Sequence, residues 1–246
     1  MSVMLTGKDW THEDVINQRA KLMLTSRGIA TDMTEKHELV VDNGYRVRRL
    51  TLSESVVWHA MAFDVLELPE CLLRYQRAAK NLGITLDPLR SVISSLATDR
   101  LFCMGIEADP SDALFSVFCE GYLTRALEQR EVVRKEKHYA MYYDRYLHWD
   151  EVEQTPRRTE PLTDDENRVL AMLAAENWSA AELVRNLEKG YDSSMVRFML
   201  PHEPFAIVSL DPDADLVRMN YERHPMARKV AAILLNFLRS RQVLLS

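Results

Sequence analysis

The stretch LTDDENRVLAMLAAENWSAAELVRNLEKGYDSSMVRFMLPHEPFAIVSLDPDADLVRMNY, residues 162–221, decides how the rest of the chain is read. Thr163 with Glu166 and Ser179 with Glu182 are two capping boxes, a pattern in which hydroxyl and carboxylate satisfy the free backbone donors of a helix start. Val169, Leu170 and Leu173 then give the first helix a buried side, and Leu183, Val184 and Leu187 do the same for the second. A short third helix is expected over 193–200, stopped by Pro201 and Pro204. Two strands, 205–210 and 216–221, follow across an aspartate-rich turn at 211–215.

Upstream, 150–161 is polar, holds two prolines and lacks periodicity, so it reads as a linker. It divides an N-terminal domain, 1–149, from a C-terminal module at 162–246. In the first, Thr11 and Asp14 open a helix expected to run to Gly28 through Leu22 and Leu24. Asn43-Gly44 between β-prone runs predicts a hairpin with a two-residue turn. A first trio of helices then starts at Ser53, at Pro69 and at Asp87-Pro88, with Gly83 closing the second. Residues 101–106 read as a strand with no returning partner, and Asp109-Pro110 restarts a helix that continues to Trp149 with a break near Gly121. At the other end, Pro225 introduces an amphipathic basic helix that carries Val230, Ile233, Leu234 and Phe237 on one face. Leu52-Ser53 and Leu162-Thr163 form a faint echo between the two halves, which suits a tandem arrangement.

The order helix–helix–helix–strand–turn–strand in 162–221 resembles the winged helix-turn-helix superfamily, and 51–106 resembles it less completely. The fold class expected is therefore mostly α with small β-hairpins, as two winged-helix-like modules joined by a long helical region. The resemblance implies that a third helix enters the DNA major groove. In the second module that helix offers Arg197 and His202, and the turn beside it carries three aspartates, which phosphate repels. The helix at 89–98 offers Arg90, Ser91, Ser94, Ser95 and Thr98, with Arg100 just beyond, and guanidinium and hydroxyl groups are workable base-reading chemistry. Double-stranded DNA is accordingly the expected partner, with Arg90, Ser91, Ser94 and Arg100 near bases and Arg228 and Lys229 near phosphate. The plainer reading of the same serines and arginines is the wet face of a core helix.

Charge and composition bound these expectations. The 246 residues are 47% hydrophobic and 28% charged, with only 7 glycines and a net charge of −6. Residues 150–215 hold 6 basic and 15 acidic side chains, whereas 216–246 hold 6 basic and 1 acidic. Positive potential is thus concentrated at the C-terminal end and locally at 125–137. Neither a signal peptide nor a membrane-length apolar run is visible, and the three cysteines read as reduced, buried thiols. A cytoplasmic location without membrane association is expected.

Tyr139, Tyr142, Tyr143, Tyr146 and Trp149 form an aromatic stripe at helical spacing. It is read as core or as an interface in a homo-oligomer or with a protein partner, using Tyr139, Tyr142, Tyr146 and Trp149. Asp144, His148 and Glu151 share a helix face, and His59 lies near Asp64 and Glu67, but neither group has the spacing of a metal site. No glycine-rich phosphate loop, nucleophile elbow or zinc pattern occurs. No cofactor, metal or catalytic residue is assigned. A DNA-binding regulatory protein is the leading expectation, and a non-catalytic protein–protein interaction module built on the same folds is the alternative.

Overall fold

The computed structural model describes residues 20–125, 161–189, 197–199, 207–209 and 212–246. Their architecture is mixed, with α-helices around antiparallel sheets of two or three strands.

The first unit opens on strand β1, Lys21–Ser26. The second half of the helix expected up to Gly28 is therefore extended. Leu22 and Leu24 lie two apart, a spacing that puts them on one side of a strand and on opposite sides of a helix, and distant partners complete the strand. Those partners are β5, Leu66–Glu67, and β6, Phe102–Glu107, which flank β1 in a sheet of order β5-β1-β6. Pairs such as Leu24↔Leu66 and Leu24↔Met104 set the register. The returning strand missing after β6 is thus supplied from before the first helix.

Strands β2 (Ile29–Met33), β3 (Leu39–Asp42) and β4 (Val47–Arg49) form a separate antiparallel meander. The expected hairpin is present, but Asp42 pairs with Val47, which leaves a four-residue loop. Gly44 alone in that loop has positive φ, at 80°. The Asn43 carboxamide oxygen instead accepts from the N–H groups of Tyr45 and Arg46, both at 3.1 Å, so the asparagine side chain shapes the turn.

Helices α1 (Leu52–Ala60), α2 (Leu68–Leu82) and α3 (Leu89–Thr98) complete the unit. Thr51, not Ser53, caps α1, and with Glu54 it makes a full capping box. Pro69 lies in the first turn of α2, and Gly83 ends that helix in the left-handed region at φ 63°. Trp58, Leu50, Leu66, Leu96 and Met61 are among the side chains closing this core.

The second unit repeats the same plan. Strand β7, Leu123–Arg125, precedes α5 (Asp164–Ala175), which Thr163 and Glu166 cap as Thr51 and Glu54 cap α1. Leu50 and Leu162 stand just before those caps, so the counterpart of Leu162-Thr163 is Leu50-Thr51 and not Leu52-Ser53. Between α5 and α6 (Ala180–Lys189), Trp178 and Leu123 exchange backbone hydrogen bonds of 3.1 and 2.8 Å, in the place of the β5 pairing. The other side of β7 is taken by β10, Val243–Leu245, as β6 takes the other side of β1. Helix α8, Met226–Arg239, immediately precedes that closing strand, as α3 precedes β6.

The two junctions match in detail. Arg100 and Arg241 both adopt positive φ, 55° and 56°. Arg100 donates its N–H to Ala97 and Leu101 donates to Leu96, at 3.0 and 2.8 Å; Arg241 donates to Leu238 and Gln242 to Phe237, at 2.9 and 2.8 Å. Both helices end in the same Schellman turn, with arginine where glycine is more usual.

Several expectations for 162–221 are corrected. Arg197–Met199 is strand β8, not helix, and pairs with β9, Ile207–Ser209, which falls within the expected strand. The aspartate-rich turn and the strand after it are instead helix α7, Pro212–Met219, and a 3-10 turn at Tyr221–Arg223. Pro212 at the first helical position and acidic residues in the first turn are favourable at a helix start. The β8–β9 hairpin and α7 are thus inserted between the second and third helices of the repeat.

The core boundary also differs from the linker at 150–161. Helix α4, Pro110–Cys119, and β7 pack with α5, α6, α7 and α8 in one apolar cluster, while β1–β4 and α1–α3 surround the other. The expected break near Gly121 is present, because α4 ends at Cys119 and the chain extends again at Leu123. The remainder of the long helical region, the linker and Tyr139, Tyr142, Tyr146 and Trp149 lie outside the described residues. No helix among the described residues is long and apolar enough to cross a membrane.

Candidate nucleic-acid interface

Helix α3 buries Val92 and Leu96 and exposes Arg90, Ser91, Ser94 and Thr98. Its ten residues contain no carboxylate, and Arg90 has no acidic partner among the described residues. Arg100 is exposed at the end of the helix, held there by the left-handed backbone, with its guanidinium 5.3 Å from the centre of the Tyr45 ring. Four of the expected residues, Arg90, Ser91, Ser94 and Arg100, are therefore brought together along one helix and its end.

The β3–β4 hairpin is fastened to that helix. Asn43 Nδ2 donates to the carbonyls of Asp99 and Arg100 at 2.9 and 3.1 Å, satisfying acceptors that a helix end leaves open. Arg46 and Arg48 both pair with Asp99. Arg48 Nη2 also reaches Glu54 Oε1 at 2.5 Å and Ser95 Oγ at 3.1 Å, and Ser95 donates to the same Glu54 oxygen at 2.7 Å. Ser95 is consequently a structural side chain and not part of the open face. Arg46 and Arg49 remain half exposed, Arg49 beside Glu38, so arginines line the hairpin next to α3.

These hairpin arginines are the residues that sequence reasoning missed. The signal was present as Arg46-Val47-Arg48-Arg49, three guanidinium groups in four positions directly after a turn. It was passed over because the hairpin was valued only as a fold marker.

Glu54 is the buried hub of the arrangement. Burial by itself pushes its carboxyl up, but the Thr51 N–H, the Ser95 hydroxyl and the Arg48 guanidinium outweigh it and hold the group below the usual 4.5. A carboxylate held below its unfolded value contributes stability that is complete above about pH 4.5 and is lost as pH falls through the folded value. Glu54→Gln is expected to destabilise the protein at neutral pH and to flatten the acid limb of its stability. Urea titrations at several pH values measure this; parallel pH profiles for the two proteins would refute it.

Arg228 and Lys229 are placed elsewhere. Arg228 forms a two-pronged pair with Asp112 of α4, at 2.8 and 2.9 Å, with Asp109 at 3.9 Å. Lys229 meets Asp165 of α5, and Arg239 Nε meets Asp64 at 2.8 Å. Neither Arg228 nor Lys229 joins the α3 face, and phosphate would have to displace a carboxylate from each. Glu188 receives His224 and the Met226 N–H at 2.6 and 3.3 Å, anchoring the start of α8.

The other constellations do not assemble. His59 is buried on α1, Asp64 meets Arg74 and Arg239, and Glu67 pairs with Lys21. Asp144, His148 and Glu151 lie outside the described residues. Among the described residues no group of three or more histidine, cysteine, aspartate or glutamate side chains is placed to hold a metal ion. Burial pushes the thiols of Cys71, Cys103 and Cys119 up to about 11, about 12 and about 12, so none is a ready nucleophile at neutral pH.

No family model matches the chain, and no curated protein and no solved structure matches it either. The functional reading therefore rests on the site itself.

Proposed function

We propose that the chain is a DNA-binding regulatory protein that presents helix α3 to the duplex, with the β3–β4 hairpin beside it. The observation that carries this reading is the outer face of α3: Arg90, Ser91, Ser94 and Thr98 exposed, no carboxylate along the helix, and Arg100 with the arginine-bearing hairpin at its C-terminal end. Hydroxyl and guanidinium groups on an exposed helix can read base edges in the major groove, while Arg100 is suited to phosphate; Arg46 and Arg49 reach phosphate only by leaving Asp99 and Glu38. The order helix, short strand, helix, helix, strand around a three-stranded sheet agrees with a winged-helix-like module, although its middle strand comes from before the first helix.

The test is fluorescence anisotropy of a labelled mixed-sequence duplex across a salt series. Binding is expected to weaken with salt, with a slope of about −0.9 for each phosphate neutralised. Arg90→Glu should weaken it by about tenfold or more, since it removes one cation and adds a repelled anion. No binding at low salt, or binding indifferent to this substitution, defeats the proposal.

A second reading is favoured by a different patch. Leu72 and Leu73, adjacent on α2, are exposed, and exposed leucines side by side fit a protein partner or a second copy of the chain.

A further inference from the structure

We infer that the buried guanidinium of Arg27, together with Arg100 and the Tyr45 ring, forms a binding site for a phosphate group at the C-terminal end of α3. The inference rests on the DNA-binding reading only for the source of that phosphate. The site itself follows from charge that the fold leaves unpaired.

Arg27 lies in the turn between β1 and β2 and is 8% exposed. Its backbone is fixed from two sides. The N–H donates to the Leu101 carbonyl at 2.9 Å, and the carbonyl accepts from Trp58 Nε1 at 3.2 Å. Gly28, the next residue, has φ 96°, and a side chain there would stand 2.7 Å from the Asp42 carbonyl oxygen, so the turn lies directly on β3. The fold therefore holds this guanidinium in place.

In that place it is poorly matched. Nη1 reaches the Glu120 carbonyl at 3.4 Å, and the buried Nε has no hydrogen-bond partner among the described residues. The carboxylates of the surrounding elements are committed elsewhere. Glu120 pairs with Arg218, Asp99 pairs with Arg46 and Arg48, and Asp42 accepts from the Gly44 N–H at 2.9 Å. A buried charge is costly unless it is paired, and arginine, unlike lysine, does not escape by losing its proton. The Tyr45 ring, its centre 5.3 Å from the guanidinium carbon, supplies only part of what is missing.

Arg100 adds to the imbalance. Its guanidinium carbon is also 5.3 Å from the centre of the Tyr45 ring, so the two cations are at most twice that distance apart. Its φ is 55°, a conformation that glycine adopts without penalty, so what arginine contributes at this helix end is its charged side chain. Arg100 is exposed and Tyr45 half-buried, so a ligand approaches from the Arg100 side. A phosphate answers this arrangement: it carries the opposite charge and offers several oxygens, two of which a guanidinium fork binds at once. The site also adjoins the exposed face of α3, where a duplex read by Arg90 and Ser94 brings its backbone.

Inorganic phosphate is titrated into the full-length protein by isothermal calorimetry, with sodium chloride at matched ionic strength as the blank. Saturable binding is expected. Arg100→Gln removes an exposed side chain and should weaken binding by at least about tenfold, and Arg27→Gln should abolish it. Arg241→Gln is the control, because Arg241 makes the corresponding contact with Phe63, at 5.0 Å, in the second unit; less than about a twofold change is expected there. If Arg27→Gln fails to fold, Arg100→Gln alone decides. No saturable phase with phosphate, or equal binding by Arg100→Gln, overturns the inference and leaves the reading of α3 to its own test with Arg90→Glu. The source of the phosphate is found by repeating the duplex titration with phosphate replacing chloride at equal ionic strength. Weaker duplex binding in the wild type, with no such change in Arg100→Gln, supports the site with the DNA backbone as its ligand. Phosphate that binds without displacing the duplex supports the site with a small phosphorylated molecule as its ligand.

Discussion

Gly105→Ala is expected to leave the chain unable to hold its native fold. Gly105 lies in β6 opposite Met23 of β1. A methyl group there would stand 2.1 Å from the Ala113 carbonyl oxygen and 2.9 Å from the Val117 nitrogen. Both are backbone atoms of α4, so no side-chain rotation relieves the clash, and the sheet of the first unit would have to part from the helix that joins it to the second. Overpacking that side chains can absorb costs about 1–3 kcal/mol. A backbone shift of this kind belongs to the rarer losses above about 4 kcal/mol, a large part of the total stability of a domain. Gly83→Ala is the control. That residue has φ 63° but nothing within 4 Å of the added carbon, so only the left-handed conformation is penalised, by about 1–2 kcal/mol. Urea unfolding followed by far-ultraviolet circular dichroism compares the two. A Gly105→Ala protein as stable as Gly83→Ala would show that β6 and α4 are not in this contact.

Trp178→Ala should be nearly as damaging, but in one half of the molecule. Trp178 is 1% exposed, and its indole N–H donates to the Met172 carbonyl at 2.9 Å. Its backbone exchanges hydrogen bonds with Leu123 and so ties the α5–α6 connection to β7, beside the bond of 2.6 Å from the Thr124 hydroxyl to Asn177 Oδ1. Truncating a buried tryptophan costs about 3–5 kcal/mol, and here the Met172 carbonyl also loses one of its two donors, keeping the Glu176 N–H. The cysteines report where the loss falls, since Cys103 and Cys119 belong to the same apolar cluster as Trp178, whereas Cys71 belongs to the other. All three are buried and have raised thiol pKa values, so each reacts only when its surroundings open. In the variant, thiol labelling in rising urea is expected to reach Cys103 and Cys119 well before Cys71. Labelling of all three in one step, at the wild-type urea concentration, would contradict the assignment of Trp178 to the second core.

Much of the helical framework was legible residue by residue. Thr163 with Glu166, Ser179 with Glu182, Pro69, Gly83, Asp87-Pro88, Asp109-Pro110 and Pro225 each mark a helix end close to where it falls. The face of α3 was legible too, because Val92 and Leu96 alternate with Arg90, Ser91 and Ser94 at helical spacing. The reading failed where two conformations suit the same residues. Lys21–Ser26 joined a helix pattern on paper but is the middle strand of a sheet. The aspartates of 211–215 suit a turn as well as the first turn of a helix, and the helix prevailed from Pro212.

The candidate site divides in the same way. Its exposed serines and arginines were visible along the chain, but the link between hairpin and helix was not. Asn43 reaches Asp99 and Arg100, and Glu54 gathers Arg48 and Ser95, across separations that no periodicity encodes. Helix ends and buried faces are settled by interactions within about four residues, so they stand in the sequence itself. Strand partners, and the packing of α8 against α4 and α6, depend on groups brought together from far along the chain. Only packing in three dimensions decides those.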